Sequence, residues 1–199
     1  MNRPISLDRV APRHGSVALR RARLRGFSLI ELLFTIALAG ILTSLAAPSL
    51  TKMLKTNRVQ SEASGFVGDL MVARTEAVKR GVNVSACASS DGTNCLGANT
   101  WHSGWIVFAD PTAACSGTTS AYPALRTRKA FTNSDTFTAS SASSTCVTFN
   151  REGFTSNLGT ATVTFTIHTS DSYANATRCV AVDLGGHLTT QTAGQASCS

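Results

Sequence analysis

The longest pattern along the chain is an apolar run from Phe27 to Ala47, FSLIELLFTIALAGILTSLAA, in which Glu31 is the one charged residue. As a helix it spans about 30 Å at about 1.5 Å per residue, the thickness of a bilayer core. It is longer than the roughly 7–15 residue apolar region of a cleaved signal peptide. After Pro48 the pattern becomes amphipathic. Val59, Ala63, Phe66, Val67, Leu70, Met71 and Ala77 recur mostly at three- and four-residue steps. Lys52, Lys55, Arg58, Glu62, Asp69, Arg74 and Lys79 lie largely between them. The spacing predicts one long helix from about Phe27 to Arg80, with Gly81 as its C-cap. Pro48 should kink or locally melt it, and two helices broken there are the alternative.

From Val82 onward Gly, Ser, Thr and Ala dominate, and short β-type runs stand between turn residues. Strands are expected over Val82–Ala88, Gly104–Asp110, Leu125–Phe131, Cys146–Asn150, Thr162–His168, Cys179–Leu184 and His187–Thr190. Val163, Phe165 and Ile167 alternate with threonines, which gives one apolar and one polar face. The last two runs read as a hairpin turning near Gly185 and Gly186, and Thr138–Thr145 reads as a loop. Helix followed by strands predicts an α+β fold, the long helix laid against an antiparallel sheet.

Charge changes the picture only at the N-terminus. The net charge of +7 suggests a nucleic-acid partner at first sight. Yet Arg3, Arg9, Arg13, Arg20, Arg21, Arg23 and Arg25 all precede Phe27, with Asp8 the one acid among them. From Phe27 on, basic and acidic residues nearly balance. Arginines directly before an apolar span predict that the N-terminus stays inside and the C-terminal part faces outward. A carboxylate in such a span costs roughly 2.5–3.5 kcal/mol at the centre of a helix, so Glu31 calls for a cationic partner. An ordinary signal anchor with Glu31 reaching the interface is the plainer alternative.

Cys87, Cys95, Cys115, Cys146, Cys179 and Cys198 all fall on the outer side, where disulfides persist. We expect Cys87–Cys95 to close a loop and Cys179–Cys198 to tie the C-terminal tail to a strand. Cys115–Cys146 takes what remains. No Cys-x-x-Cys pair supports a zinc or redox centre. His14, His102, His168 and His187 show no ligand spacing, and no nucleotide or nucleophile motif occurs, so neither cofactor nor enzymatic activity is expected. Arg126, Arg128 and Lys129 form the densest basic cluster after the apolar span. In a strand, Arg126 and Arg128 share one face. That face is either a charged strand edge that deters pairing or a patch for DNA or an acidic neighbouring subunit. Trp101 and Trp105 could stack bases, pack a loop or anchor a subunit contact.

Residues 23–32, Arg-Leu-Arg-Gly-Phe-Ser-Leu-Ile-Glu-Leu, closely resemble the leader and start of type IV prepilins and type II secretion pseudopilins. The resemblance implies a leader over 1–26, cut after Gly26 by prepilin peptidase, and N-methylation of Phe27. It implies that Glu31 pairs with the terminal amine of a neighbouring subunit. It also implies a transmembrane and assembly helix over 27–48, its amphipathic continuation over 49–81, and a periplasmic β-rich domain over 82–199, anchored in the bacterial inner membrane. Three further segments are similar to the GspH/FimT group: Cys87-Ala-Ser-Ser-Asp-Gly-Thr-Asn-Cys95, Gly104-Trp-Ile-Val-Phe-Ala-Asp110 and Val147-Thr-Phe-Asn-Arg-Glu-Gly153. The implied partners are other pilin or pseudopilin subunits and, on the FimT side, DNA. DNA-binding FimT proteins carry a Gly-Arg-x-Arg element near the C-terminus. Gly186-His187-Leu188-Thr189 stands at that place here without either arginine, which argues against DNA.

Overall fold

The structure, a computed structural model, describes residues 26–159, 162–196 and 198. All of the leader except Gly26 lies outside the described residues. The chain divides into two units, residues 1–44 and 45–199. A single helix, α1 (Leu29–Arg80), enters both. Its helical assignment continues through Pro48, so the expected local melting does not occur. Proline forfeits one N–H bond, and the turns on either side retain theirs.

In the first unit, Thr35, Thr43 and Ser44 return their hydroxyls to the carbonyls of Leu32, Ala39 and Ile41 at 2.8, 2.9 and 2.7 Å. These polar groups are thus satisfied within their own helix, the condition for lying in hydrocarbon. Glu31 has no hydrogen bond or ion pair with the described residues.

In the second unit α1 buries Val59, Ala63, Phe66, Leu70, Ala73 and Ala77. This is the predicted stripe with Ala73 added and two further corrections. Val67 is only half-buried, and Met71 is 49 % exposed. The steps of four, three, four, three and four residues keep one face inward, and Val67 and Met71 fall one position off it. The single sheet expected is in fact two antiparallel four-stranded sheets. One is ordered β3-β2-β1-β5, from β1 (Val84–Ala88), β2 (Gly104–Ala109), β3 (Ala124–Lys129) and β5 (Cys146–Phe149). The other is ordered β4-β6-β7-β8, from β4 (Thr136–Ala139), β6 (Val163–His168), β7 (Arg178–Val182) and β8 (Leu188–Thr192). β4 takes the start of the segment expected to be a loop. Its Thr-Phe-Thr-Ala is too short to show a period, and Phe137 makes it a strand by being buried.

Both sheets meet α1 at Phe66. Its ring lies 5.4, 5.3, 4.8 and 5.0 Å from those of Trp101, Trp105, Phe137 and Phe165. Trp101 opens a short turn before β2, and the other three come from β2, β4 and β6. The edge-on arrangement of most of these pairs is the one aromatic rings prefer. The tryptophans therefore build the core.

The first sheet is covered on its outer face as well. Ile106, Phe108, Cys87 and Cys146 form a second, small cluster, closed by Cys95 and Cys115. The disulfides are Cys87–Cys95, Cys115–Cys146 and Cys179–Cys198. Two of them thus serve as the lid of this outer cluster. Asp110, buried beside it, accepts from Ser85 Oγ at 2.8 Å and from the Cys115 amide at 2.9 Å, which fixes the covering loop. Burial on both faces explains why Gly104–Ala109 reads as an unbroken apolar run.

Candidate functional site

The chemistry of the second unit gathers along the seam between α1 and β3, where three carboxylates face two guanidiniums. Asp135, which precedes β4, is buried and chelated by Arg58 of α1 through Nε at 2.7 Å and Nη2 at 2.9 Å. Asp69 of α1, also buried, accepts from Trp105 Nε1 at 3.0 Å and from Arg128 Nη2 at 3.2 Å. Bidentate and aromatic-backed pairs such as these recover much of the cost of burying a carboxylate. The Arg128 guanidinium also lies 5.7 Å from the Trp105 ring centre and fits over Gly65, where a Cβ would sit 3.1 Å from Nη2.

Glu62 is the third carboxylate. It lies one turn from Arg58 on α1, and its Oε2 is buried without a hydrogen-bond donor. Burial is the main reason its carboxyl is pushed up from 4.5 to about 7; Asp135 raises it further and Arg58 opposes. Glu62, Ser61 and Gly65 of α1 line a cleft of about 170 Å³ with Trp105, Arg128 and the Ala130–Thr132 segment.

This raised value has a definite consequence for stability. The folded state holds the Glu62 proton to about pH 7, while the unfolded chain releases it near 4.5. The contribution of Glu62 therefore weakens as pH rises through that window and is level below it. Replacing Glu62 by glutamine should leave stability unchanged near pH 4 and raise it at pH 8 by about 1–2 kcal/mol, after discounting for solvent at a half-buried site. Thermal melts of both proteins across that range check it. An equal difference at both ends would remove Glu62 as the titrating group.

The sequence-predicted residues sort clearly. Gly26 and Phe27 are exposed just before α1, with Glu31 in its first turn. Arg126 and Arg128 share the strand face that looks toward α1, Arg126 lining a second cleft with Met71, Val72, Thr75 and Glu76. Arg126 and Lys129 have no ion pair among the described residues. His187 pairs with Asp183 across the β7–β8 turn at 3.1 Å, and His168 meets Thr177 at 3.3 Å. Arg74 holds that turn to the helix, donating to the carbonyls of Gly186 at 2.9 Å and Gly185 at 3.0 Å. Glu62, Asp69, Arg58 and Asp135 were not singled out from sequence as site residues. The signal available was the Arg58–Glu62 spacing on the border of the apolar stripe. Among the described residues no group of His, Cys, Asp or Glu is placed to hold a metal.

The family described as type II transport protein GspH matches residues 62–186, well over half the chain. The chain belongs to the GspH family. A prokaryotic N-terminal methylation motif matches residues 21–47. Two crystal structures of the type IV minor pilin FimU of Pseudomonas aeruginosa share the fold. One has a TM-score of 0.56 and 21 % identity over 71 % of this chain and 95 % of FimU. The other has a TM-score of 0.53 and 20 % identity over 70 % of this chain and 98 % of FimU. The minor pseudopilin EpsH of Vibrio cholerae scores 0.47, at 12 % identity over 69 % of this chain and 98 % of EpsH. No curated protein matches. This GspH-family chain is thus a pilin-like structural subunit, of the class that includes minor pilins and pseudopilins. It is anchored by the one helix that, among the described residues, is long and apolar enough to cross a membrane. Such subunits assemble with others of their kind.

Proposed function

We propose that this chain is a minor subunit of a type IV pilus that helps initiate or modify the filament. Prepilin peptidase cuts after Gly26, and the new terminal residue, Phe27, is methylated on its amine. Residues 27–48 hold the subunit in the inner membrane with residues 82–199 in the periplasm, and then carry it into the filament. The observation behind this reading is Glu31. It is the one charge in an apolar helix whose hydroxyl groups are satisfied internally, and it has no partner within the described chain. The freed amine of Phe27 on an adjacent helix supplies the cation that a carboxylate in apolar surroundings needs.

The family match favours a second reading, a type II secretion pseudopilin acting in a short periplasmic filament. A strain lacking this protein separates the two. Loss of sheared surface pili with normal secreted-protein activity supports the pilus. Loss of secretion with normal pili supports the pseudopilin. DNA as a partner has little left to rest on, since both tryptophans are in the core and Arg128 is committed to Asp69. A salt-sensitive gel shift with the full chain at micromolar concentration would restore it.

A further inference from the structure

Glu62 repeats, in the second unit, the situation of Glu31 in the first. The other described carboxylates all have donors. Asp69 and Asp135 have Arg128 and Arg58, Asp110 has Ser85 and backbone amides, and Asp91 has Asn94 and Thr93. Glu76 has Arg80, Glu152 has Arg151, Asp171 has Lys55, and Asp183 has His187. Glu31 and Glu62 alone among them have no donor. A half-buried carboxylate beside an open cleft is costly to keep charged unless a cation enters it.

We infer that the cleft lined by Glu62, Gly65, Trp105, Arg128 and Phe131 is a socket for a lysine side chain of an adjoining filament subunit, with Glu62 as its counter-ion. Charge sets the sign. Asp69 and Asp135 are matched by Arg128 and Arg58, so Glu62, when ionised, is the carboxylate of the seam with no ion-pair partner. Shape and chemistry set the group. Trp105 and Phe131 offer aromatic wall to a cation and to the methylenes behind it. The Trp105 ring already carries the Arg128 guanidinium over it. A second planar guanidinium would abut it, whereas a compact ammonium on an unbranched stem passes beside it. The chain does not fill the socket itself. Lys55 is held by Asp171, Lys52 lies over Tyr173, and Lys129 follows Arg128 on the opposite face of β3. The filament reading enters only as the source of the lysine.

The test has two arms. In the first, full-length protein in detergent micelles is titrated with n-butylammonium chloride, and the carboxyl NMR shift of Glu62 is followed, with n-butanol as the neutral control. A saturable shift is expected at about pH 8, weaker in apparent affinity by about 30-fold at about pH 5.5, where most Glu62 is protonated. The charged groups facing Glu62 are Arg58 and Asp69 of α1, Asp135 before β4 and Arg128 of β3. E62Q should abolish the effect of butylammonium on the neighbouring Trp105 indole N–H signal. No saturation at about pH 8, an equal response to butanol, or an unchanged Trp105 response in E62Q overturns the socket. In the second arm, carbodiimide joins carboxylates to lysine amines in sheared filaments. A Glu62 peptide joined to a lysine of another subunit supports the source. A positive titration with no such cross-link, in filaments that contain this protein, overturns the subunit source. Absence of the protein from filaments strikes the proposed function and leaves the titration to stand or fall by itself.

Discussion

Replacing Glu31 by alanine or valine is expected to leave cleavage after Gly26 largely intact and to lower the amount of this protein in sheared filaments by about tenfold or more. The size follows from the physics of an ion pair in apolar surroundings. Removing one partner of a buried pair costs about 3–5 kcal/mol because the other charge is stranded, and about 1.4 kcal/mol already changes an equilibrium tenfold. Valine also makes the span more apolar, so retention in the membrane should improve while docking fails. Immunoblots of the membrane and sheared fractions measure both quantities. Wild-type amounts of the valine variant in filaments would remove Glu31 from assembly.

Phe66→Ala should destabilise the second unit by about 3–5 kcal/mol, the range for emptying a buried phenylalanine site. The upper part of that range is expected. The ring packs against four other aromatic rings, three from the two sheets and Trp101 from the turn before β2, and these cannot all collapse into the space it leaves. Against a total of about 5–15 kcal/mol for a domain, such a loss leaves little margin. Denaturant unfolding of the full chain in detergent measures it. Val67→Ala, at the neighbouring half-buried position, is the control and should cost about 1 kcal/mol or less. A comparably small loss for Phe66→Ala would mean that the direct ring contacts between Trp105 and Phe137 and between Trp101 and Phe165 hold this core without Phe66.

Both predictions rest on α1, the element most legible in the sequence. Its apolar span needed only hydropathy, and its buried stripe needed only the three- and four-residue steps. Val67 and Met71 were misplaced because the steps do not say how wide a face the sheets will cover. The strands were found within one or two residues wherever β-type runs were bounded by turn residues. β4 was missed because four residues carry no period. The tryptophans illustrate a different gap. For Trp101 and Trp105 the sequence left base stacking, loop packing and a subunit contact open, and only the packing against Phe66 puts them inside.

The sequence by itself determined what depends on composition over a contiguous stretch. This covers the apolar span, the lone charge within it and the order of helix before strands. Hydropathy, charge and local spacing act between near neighbours along the chain, so they can be read there. The tertiary structure alone decided what depends on residues brought together from afar. It divided eight strands into two sheets and made disulfides the lid of an outer cluster. It also gave Asp69 to Arg128 and Asp135 to Arg58, and so left Glu62 without a donor. Whether a carboxylate is satisfied is a property of everything within a few ångströms of it, and that neighbourhood does not exist until the chain has folded.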